Sequence, residues 1–134
     1  MVLLGENDCL LGSKIIYSLS CGSAGGIGRK FDQSGSAAYL GYEDQFVFII
    51  DLNRSATPLK DMFARPFFDS SNKISLSLIK GCTTREAFTK GRKSFKGWIE
   101  FFRKSKEPEA PYLLSALIED YMGLSLHGDE SAVF

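Results

Sequence analysis

The sequence predicts an α/β fold in which parallel strands come first and a mostly helical half succeeds them. Three observations carry this expectation. A β-branched run, "KIIYSL", leads into a glycine-rich stretch and then into a second, small-residue run, "AAYLGY". That is the strand, helix, strand order of a right-handed crossover between parallel strands. The first run is continuously apolar rather than alternating, as in a strand covered on both faces. In the second half, apolar residues recur every three or four positions, the spacing of helices with one buried face.

Taken in order, Ile15, Ile16, Tyr17 and Leu19 form the first strand, ended by the glycines beyond Cys21. Residues 24–33 are expected as one short helix, stopped by the "SGS" at 34–36. "AAYLGY" is the second strand, and after the acidic turn Glu43-Asp44 the run "FVFII" at 46–50 is the third. Pro58 suits the first turn of a helix carrying Leu59, Met62, Phe63 and Phe67, which Pro66 should kink or end. "ISLSLIKG" at 74–81 alternates like a strand, yet Gly81 with Thr83 just beyond it reads as one helix ending and another starting. We therefore assign it to a helix. Thr83 and Glu86 have capping-box spacing, and the helix beyond them gathers Phe88, Phe95, Trp98, Ile99 and Phe102 on one face. That face is core, and Lys90, Arg92, Lys93, Lys96, Arg103 and Lys104 mark the solvated one. Pro108 and Pro111 separate this helix from a last one near 111–120, and "LSLHGDESAVF" closes the chain as a strand and turn.

At 134 residues the chain is long enough to bury roughly two thirds of its unfolded surface. Sixteen basic residues against sixteen acidic ones leave no net field to draw it onto nucleic acid or an anionic membrane. No apolar run is longer than 46–50, far short of the ~20 residues that cross a bilayer, and the opening "MVLL" lacks a basic flank and a cleavage site. A soluble, cytoplasmic chain is expected. Three cysteines, Cys9, Cys21 and Cys82, are odd in number and lack metal-ligand spacing, which fits reduced thiols.

Glycines after a strand invite a phosphate-binding reading, but Gly22 and the run Gly28, Arg29, Lys30 are one residue too far apart for a P-loop and lack its hydroxyl. The glycines at 22, 25, 26 and 28 also miss the dinucleotide fingerprint. Cys21 is the chemically interesting residue. A thiol at the carboxyl end of a parallel strand sits where open sheets place ligands, and a helix starting just beyond would lower its pKa. Its own backbone N–H could serve a developing oxyanion, and Ser20, Gly22 and Ser23 are small enough to admit a substrate backbone. Spacing alone equally allows a buried structural cysteine.

The segment "KIIYSLSCGSAGGIGRKFDQSGSAAYLGYEDQFVF" resembles the nucleophile segment of the caspase-like cysteine peptidases, a group that includes caspases, gingipains and CHAT-domain peptidases. The resemblance rests on Ser20, Cys21, Ser23, Ala24, Ile27, Gly28, Ala37, Ala38, Gly41 and Tyr42. "LHGDESAVF" is similar to their closing strand through Leu126, Gly128 and Asp129, with Glu130 where proline is usual. The likeness is tight over 14–50 and looser afterwards. It implies an incomplete caspase-like three-layer sandwich, one partial domain over 1–134, with the nucleophile segment at 12–50 and the helical layer and closing strand at 56–134. It further implies a peptide or protein substrate, no cofactor or metal, Cys21 as nucleophile, and Gly22, Tyr42, Glu43 and Asp44 as substrate-binding residues. Two carboxylates at 43 and 44 would favour a basic side chain on the substrate.

In that family the cysteine is paired with a histidine roughly 50 residues upstream. Only 20 residues precede Cys21, and the sole histidine, His127, lies in the closing strand. The base is therefore expected from a second polypeptide or a missing upstream half, with an exposed sheet edge beside the Cys21 strand. The alternatives are a noncatalytic module that binds a peptide or protein partner through the same cleft, and a small α/β protein with an unrelated ligand.

Overall fold

The computed structural model describes residues 13–31, 38–57 and 60–134. They form a mixed α/β structure: strand β1 (Ile15–Tyr17), β2 (Ala38–Tyr42), helices α1 (Arg65–Ile79), α2 (Thr84–Lys104) and α3 (Ala110–Gly123), and strand β3 (Leu124–Gly128). β2 is the centre of the sheet. β1 runs parallel to it, with Ile15 opposite Ala38 and Tyr17 opposite Leu40, and β3 runs antiparallel on its other side, with Tyr39 opposite His127 and Gly41 opposite Ser125.

β2 is buried along its whole length because both sheet faces are covered, though unequally. Leu40 and Tyr42 point into the main core, where they meet Phe67 and Ile74 of α1, Phe95 and Ile99 of α2, and Leu113 and Leu117 of α3. On the opposite face Tyr39 packs with Ala24, Phe31, Ile16 and Ile27, all from β1 and the glycine-rich segment. Strand alternation therefore sends Leu40 and Tyr42 to the helices and Tyr39, Gly41 and Glu43 to the glycine-rich side.

Two expected elements take other forms. Residues 24–30 do not form an α-helix but a run of turns ending in a single 3₁₀ turn, Gly28–Lys30. Four glycines in seven residues remove the side chains that would stabilise a helix and permit close backbone approach to the neighbouring strands. Phe31 is helical, and residues 32–33 of the expected helix and the "SGS" stop lie outside the described residues. The run 46–50 is not a strand of the sheet. It is apolar because Phe46, Val47 and Ile49 pack against the helical core. The third strand comes instead from the end of the chain.

Pro66 begins a helix rather than ending one, standing in the first turn of α1 where its missing N–H costs nothing. Pro58 and Leu59 lie outside the described residues. "ISLSLI" is helical, as the Gly81 stop implied, and continues the same α1. Gly81 (φ +79°) closes it in a Schellman arrangement, with Cys82 N–H donating to the Ser77 carbonyl (3.0 Å) and Gly81 N–H to Leu78 (2.9 Å). The capping box at the start of α2 is present: Glu86 N–H donates to Thr83 Oγ1 (3.2 Å), and Thr83 N–H to Glu86 Oε2 (2.9 Å). Phe95, Ile99 and Phe102 are buried on α2, with Phe88 and Trp98 partly so. Among the described residues, no helix is long and apolar enough to cross a membrane.

Candidate functional site

β1 and β2 run side by side and leave the sheet at the same rim, so the two turns that leave them meet in space. Ser18 N–H still donates to the Leu40 carbonyl (3.0 Å), after which the chain turns away through Ser20, Cys21 and Gly22. Gly22 adopts a left-handed conformation (φ +65°), which a side chain would strain. Its N–H donates to the Asp44 carbonyl (2.8 Å), and Ala24 N–H donates to the Tyr42 carbonyl (3.2 Å). The turn bearing the thiol is thereby laced to the end of β2. Ser23 Oγ, donating to the Ser20 carbonyl (2.7 Å), closes the turn from within.

The result is an open groove of about 900 Å³. Cys21, Gly22 and residues 43–45 and 47 form one wall; Ile118, Glu119, Met122 and Gly123 of α3 form the other. Cys21 is exposed and not in a disulfide. The Gly22 amide is committed to Asp44, while the Cys21 N–H makes no hydrogen bond among the described residues and stands beside the sulfur. Asp44 is exposed on this groove, with Glu119 on the facing wall, so its charged character is acidic.

Glu43 lies at the groove but its carboxylate is occupied. His127 Nε2 is 2.8 Å from Glu43 Oε1, Ser125 Oγ donates to the same oxygen (3.0 Å), and Arg29 Nη2 donates to Oε2 (3.3 Å). Burial pushes the Glu43 carboxyl up, and the bonds from His127, Ser125 and Arg29 outweigh it, holding the group below the ordinary carboxylate range. The glycines make this cluster possible. A Cβ on Gly25 would stand 2.9 Å from Glu43 Oε2, and one on Gly28 would stand 3.1 Å from His127 Cδ2.

The structure thus brings Cys21, Gly22, Glu43 and Asp44 around one groove and leaves Tyr42 out. Tyr42 is fully buried in the helical core, its ring centroid 4.8 Å from that of Phe46. Its hydroxyl ends beside the Tyr17–Ser71 pair (2.6 Å) without a hydrogen bond of its own, and burial drives its pKa far up. It is a core residue and does not line the groove, because the strand's alternation turns it toward the helices.

Residues that the sequence did not single out complete the surroundings. Ser125 and Arg29 hold Glu43, and Asp120 of α3, fully buried, accepts the Val47 N–H at 2.8 Å and so fixes the segment 46–50 against the helix. The alternation of "LSLHG" puts Ser125 and His127 on one strand face, a signal available without the fold. Asp120 had none. Among the described residues, no three His, Cys, Asp or Glu side chains come together as a metal site would need. No protein-family model, no curated protein and no solved structure matches this chain.

Proposed function

We propose that this chain is the nucleophile-bearing portion of a caspase-like cysteine peptidase. One observation carries the reading: an exposed thiol on the turn leaving a parallel strand, in an open groove beside an amide that makes no hydrogen bond among the described residues. In the proposed reaction the Cys21 thiolate adds to a peptide carbonyl carbon, the C–N bond breaks, and the amine leaves as a thioester forms. Water then releases the acid and restores the thiol. The Cys21 N–H helps hold the transient oxyanion. The base that takes the thiol proton and returns it to the leaving amine comes from another polypeptide segment, because the one histidine of this chain is engaged by Glu43 and Ser125. Asp44 and Glu119 give the groove a preference for basic side chains on the substrate.

The test is covalent labelling with peptidyl electrophiles that differ only in the residue beside the warhead, read by mass spectrometry. We expect an adduct on Cys21, faster with Arg or Lys than with Asp, and lost in Cys21→Ala but not in Cys82→Ala. No adduct, or loss equally in both variants, removes Cys21 from the nucleophile role; a preference for Asp removes the charge argument. A second reading, a noncatalytic module that binds an extended peptide, is favoured by the place of β1, which has β2 as its sole strand neighbour among the described residues. It predicts saturable peptide binding with no labelling of Cys21.

A further inference from the structure

Apart from the thiol groove, the end of α2 and the start of α3 enclose a second cavity of about 480 Å³, within the range that holds small molecules. Its apolar walls are Met62, Phe63, Trp98, Phe101, Phe102 and Leu113. The aromatic residues stand at i, i+3 and i+4 on α2 and hold one another in place. The Trp98 and Phe101 ring centroids are 5.7 Å apart at 83°, and those of Phe101 and Phe102 are 5.1 Å apart at 87°. Phe102 is rooted in the core, whereas Phe101 and Met62 are each 58 % exposed. Large apolar side chains fixed in that state retain contact area for something else.

The polar lining has a single sign. Glu107 and Glu109 are the remaining lining residues, and neither side chain makes an ion pair or hydrogen bond among the described residues. Arg103, on the last turn of α2, is taken by Glu100 (3.2 Å). Glu109 stands at the N-cap of α3 without forming a side-chain cap. Aromatic faces attract cations through their quadrupoles, and carboxylates at the rim attract them by charge. An anion would meet repulsion, and a neutral apolar molecule would use only half of the site.

We infer that this pocket binds a small organic cation with an apolar body, an aryl- or alkylammonium, whose hydrocarbon part lies against Trp98, Phe101 and Met62 and whose ammonium faces Glu107 and Glu109. The site is separate from the Cys21 groove and does not depend on the peptidase reading. Trp98 is the single tryptophan of the chain, so its fluorescence reports on the pocket directly. The full chain is titrated with three probes of similar shape: 2-phenylethylammonium, 2-phenylethanol and 3-phenylpropionate. The expected result is a saturable change with the cation at an affinity about tenfold above that of the alcohol, the ratio of one charge-assisted contact, and no saturation with the carboxylate. The double variant Glu107→Gln with Glu109→Gln, both exposed and outside the core, brings the cation down to the affinity of the alcohol and leaves the alcohol unchanged. Phe101→Ala weakens both. Equal affinity for all three probes, or no saturable change with the cation, overturns the proposal.

Discussion

His127 Nε2 lies 2.8 Å from Glu43 Oε1, and this bond ties the closing strand β3 to the turn that leaves β2. Ser125, one pleat along the same strand face, donates to the same oxygen at 3.0 Å. The polar cluster therefore fastens the sheet's antiparallel edge to the wall of the thiol groove.

The first prediction concerns that cluster. The Glu43 carboxyl titrates lower in the fold than in the unfolded chain, because the bonds from His127, Ser125 and Arg29 outweigh the cost of burying it. Its stabilisation is complete above the ordinary carboxyl pKa and is lost as pH falls through the lower folded value. Glu43→Gln is expected to cost about 1 kcal/mol at neutral pH, read from urea unfolding, and progressively less in acid. A cost that grows on acidification would contradict the arrangement.

Asp120 behaves in the opposite sense. Its Oδ1 accepts the Val47 N–H, and its Oδ2 is buried without a partner. Burial, with a smaller contribution from Glu119, pushes the carboxyl up to about 7 against the lowering effect of the Val47 bond. A carboxyl raised in the fold holds a proton that the unfolded chain has released, so it favours folding at low pH. That contribution is lost as pH rises between the unfolded value of about 3.9 and the folded one. Asp120→Asn keeps an acceptor for Val47 but cannot ionise. It should gain stability over the wild type across that window, by roughly 1–3 kcal/mol, and level off above neutrality. Asp120→Ala, which strands the Val47 N–H, should cost about 1–3 kcal/mol in acid and progressively less as pH rises through the same window. Unfolding midpoints of the wild type and both variants in mild acid and mild base decide the matter, and a difference between wild type and the Asn variant that stays constant with pH would refute it.

Two glycines of α2 should respond oppositely to the same change. Gly91 is buried where α2 crosses α1, and a Cβ there would overlap Cγ1 and Cδ1 of the buried Ile74. Gly91→Ala is expected to cost about 1–3 kcal/mol despite the better helix propensity of alanine, and to cost less in an Ile74→Ala background. Gly97 faces open space, with nothing within 4 Å of a built Cβ. Gly97→Ala should add about 0.5–1 kcal/mol. Thermal unfolding of the two single variants checks the pair; shifts of the same sign would contradict the packing.

The features legible in the sequence were local. The capping box, the Gly81 stop and the aromatic face of α2 are each set by residues within a few positions of one another, and each stands where its chemistry requires. The parallel β1–β2 pair was legible too, and with it the convergence of Cys21 and the 43–44 turn on one rim. The failures were long-range. "FVFII" looks like a strand because it is a continuous apolar run, of which Phe46, Val47 and Ile49 pack against the core, but the partner of its Val47 N–H is a carboxylate 73 residues away. Residues 24–33 read as one short helix, whereas Gly25 and Gly28 leave room for Glu43 and His127 beneath a loop. Tyr42 was misassigned although period-two alternation from the buried Leu40 would have turned it inward.

The floor of the thiol groove is held by main-chain bonds: Gly22 N–H to the Asp44 carbonyl and Glu43 N–H to the Gly123 carbonyl, both 2.8 Å. Contour and charge are therefore governed by different atoms. Exchanging the side chains at 44 and 45 would repaint the surface without reshaping it, so the charge of this cleft can be reset by substitution alone, with no remodelling of the backbone that presents the sulfur.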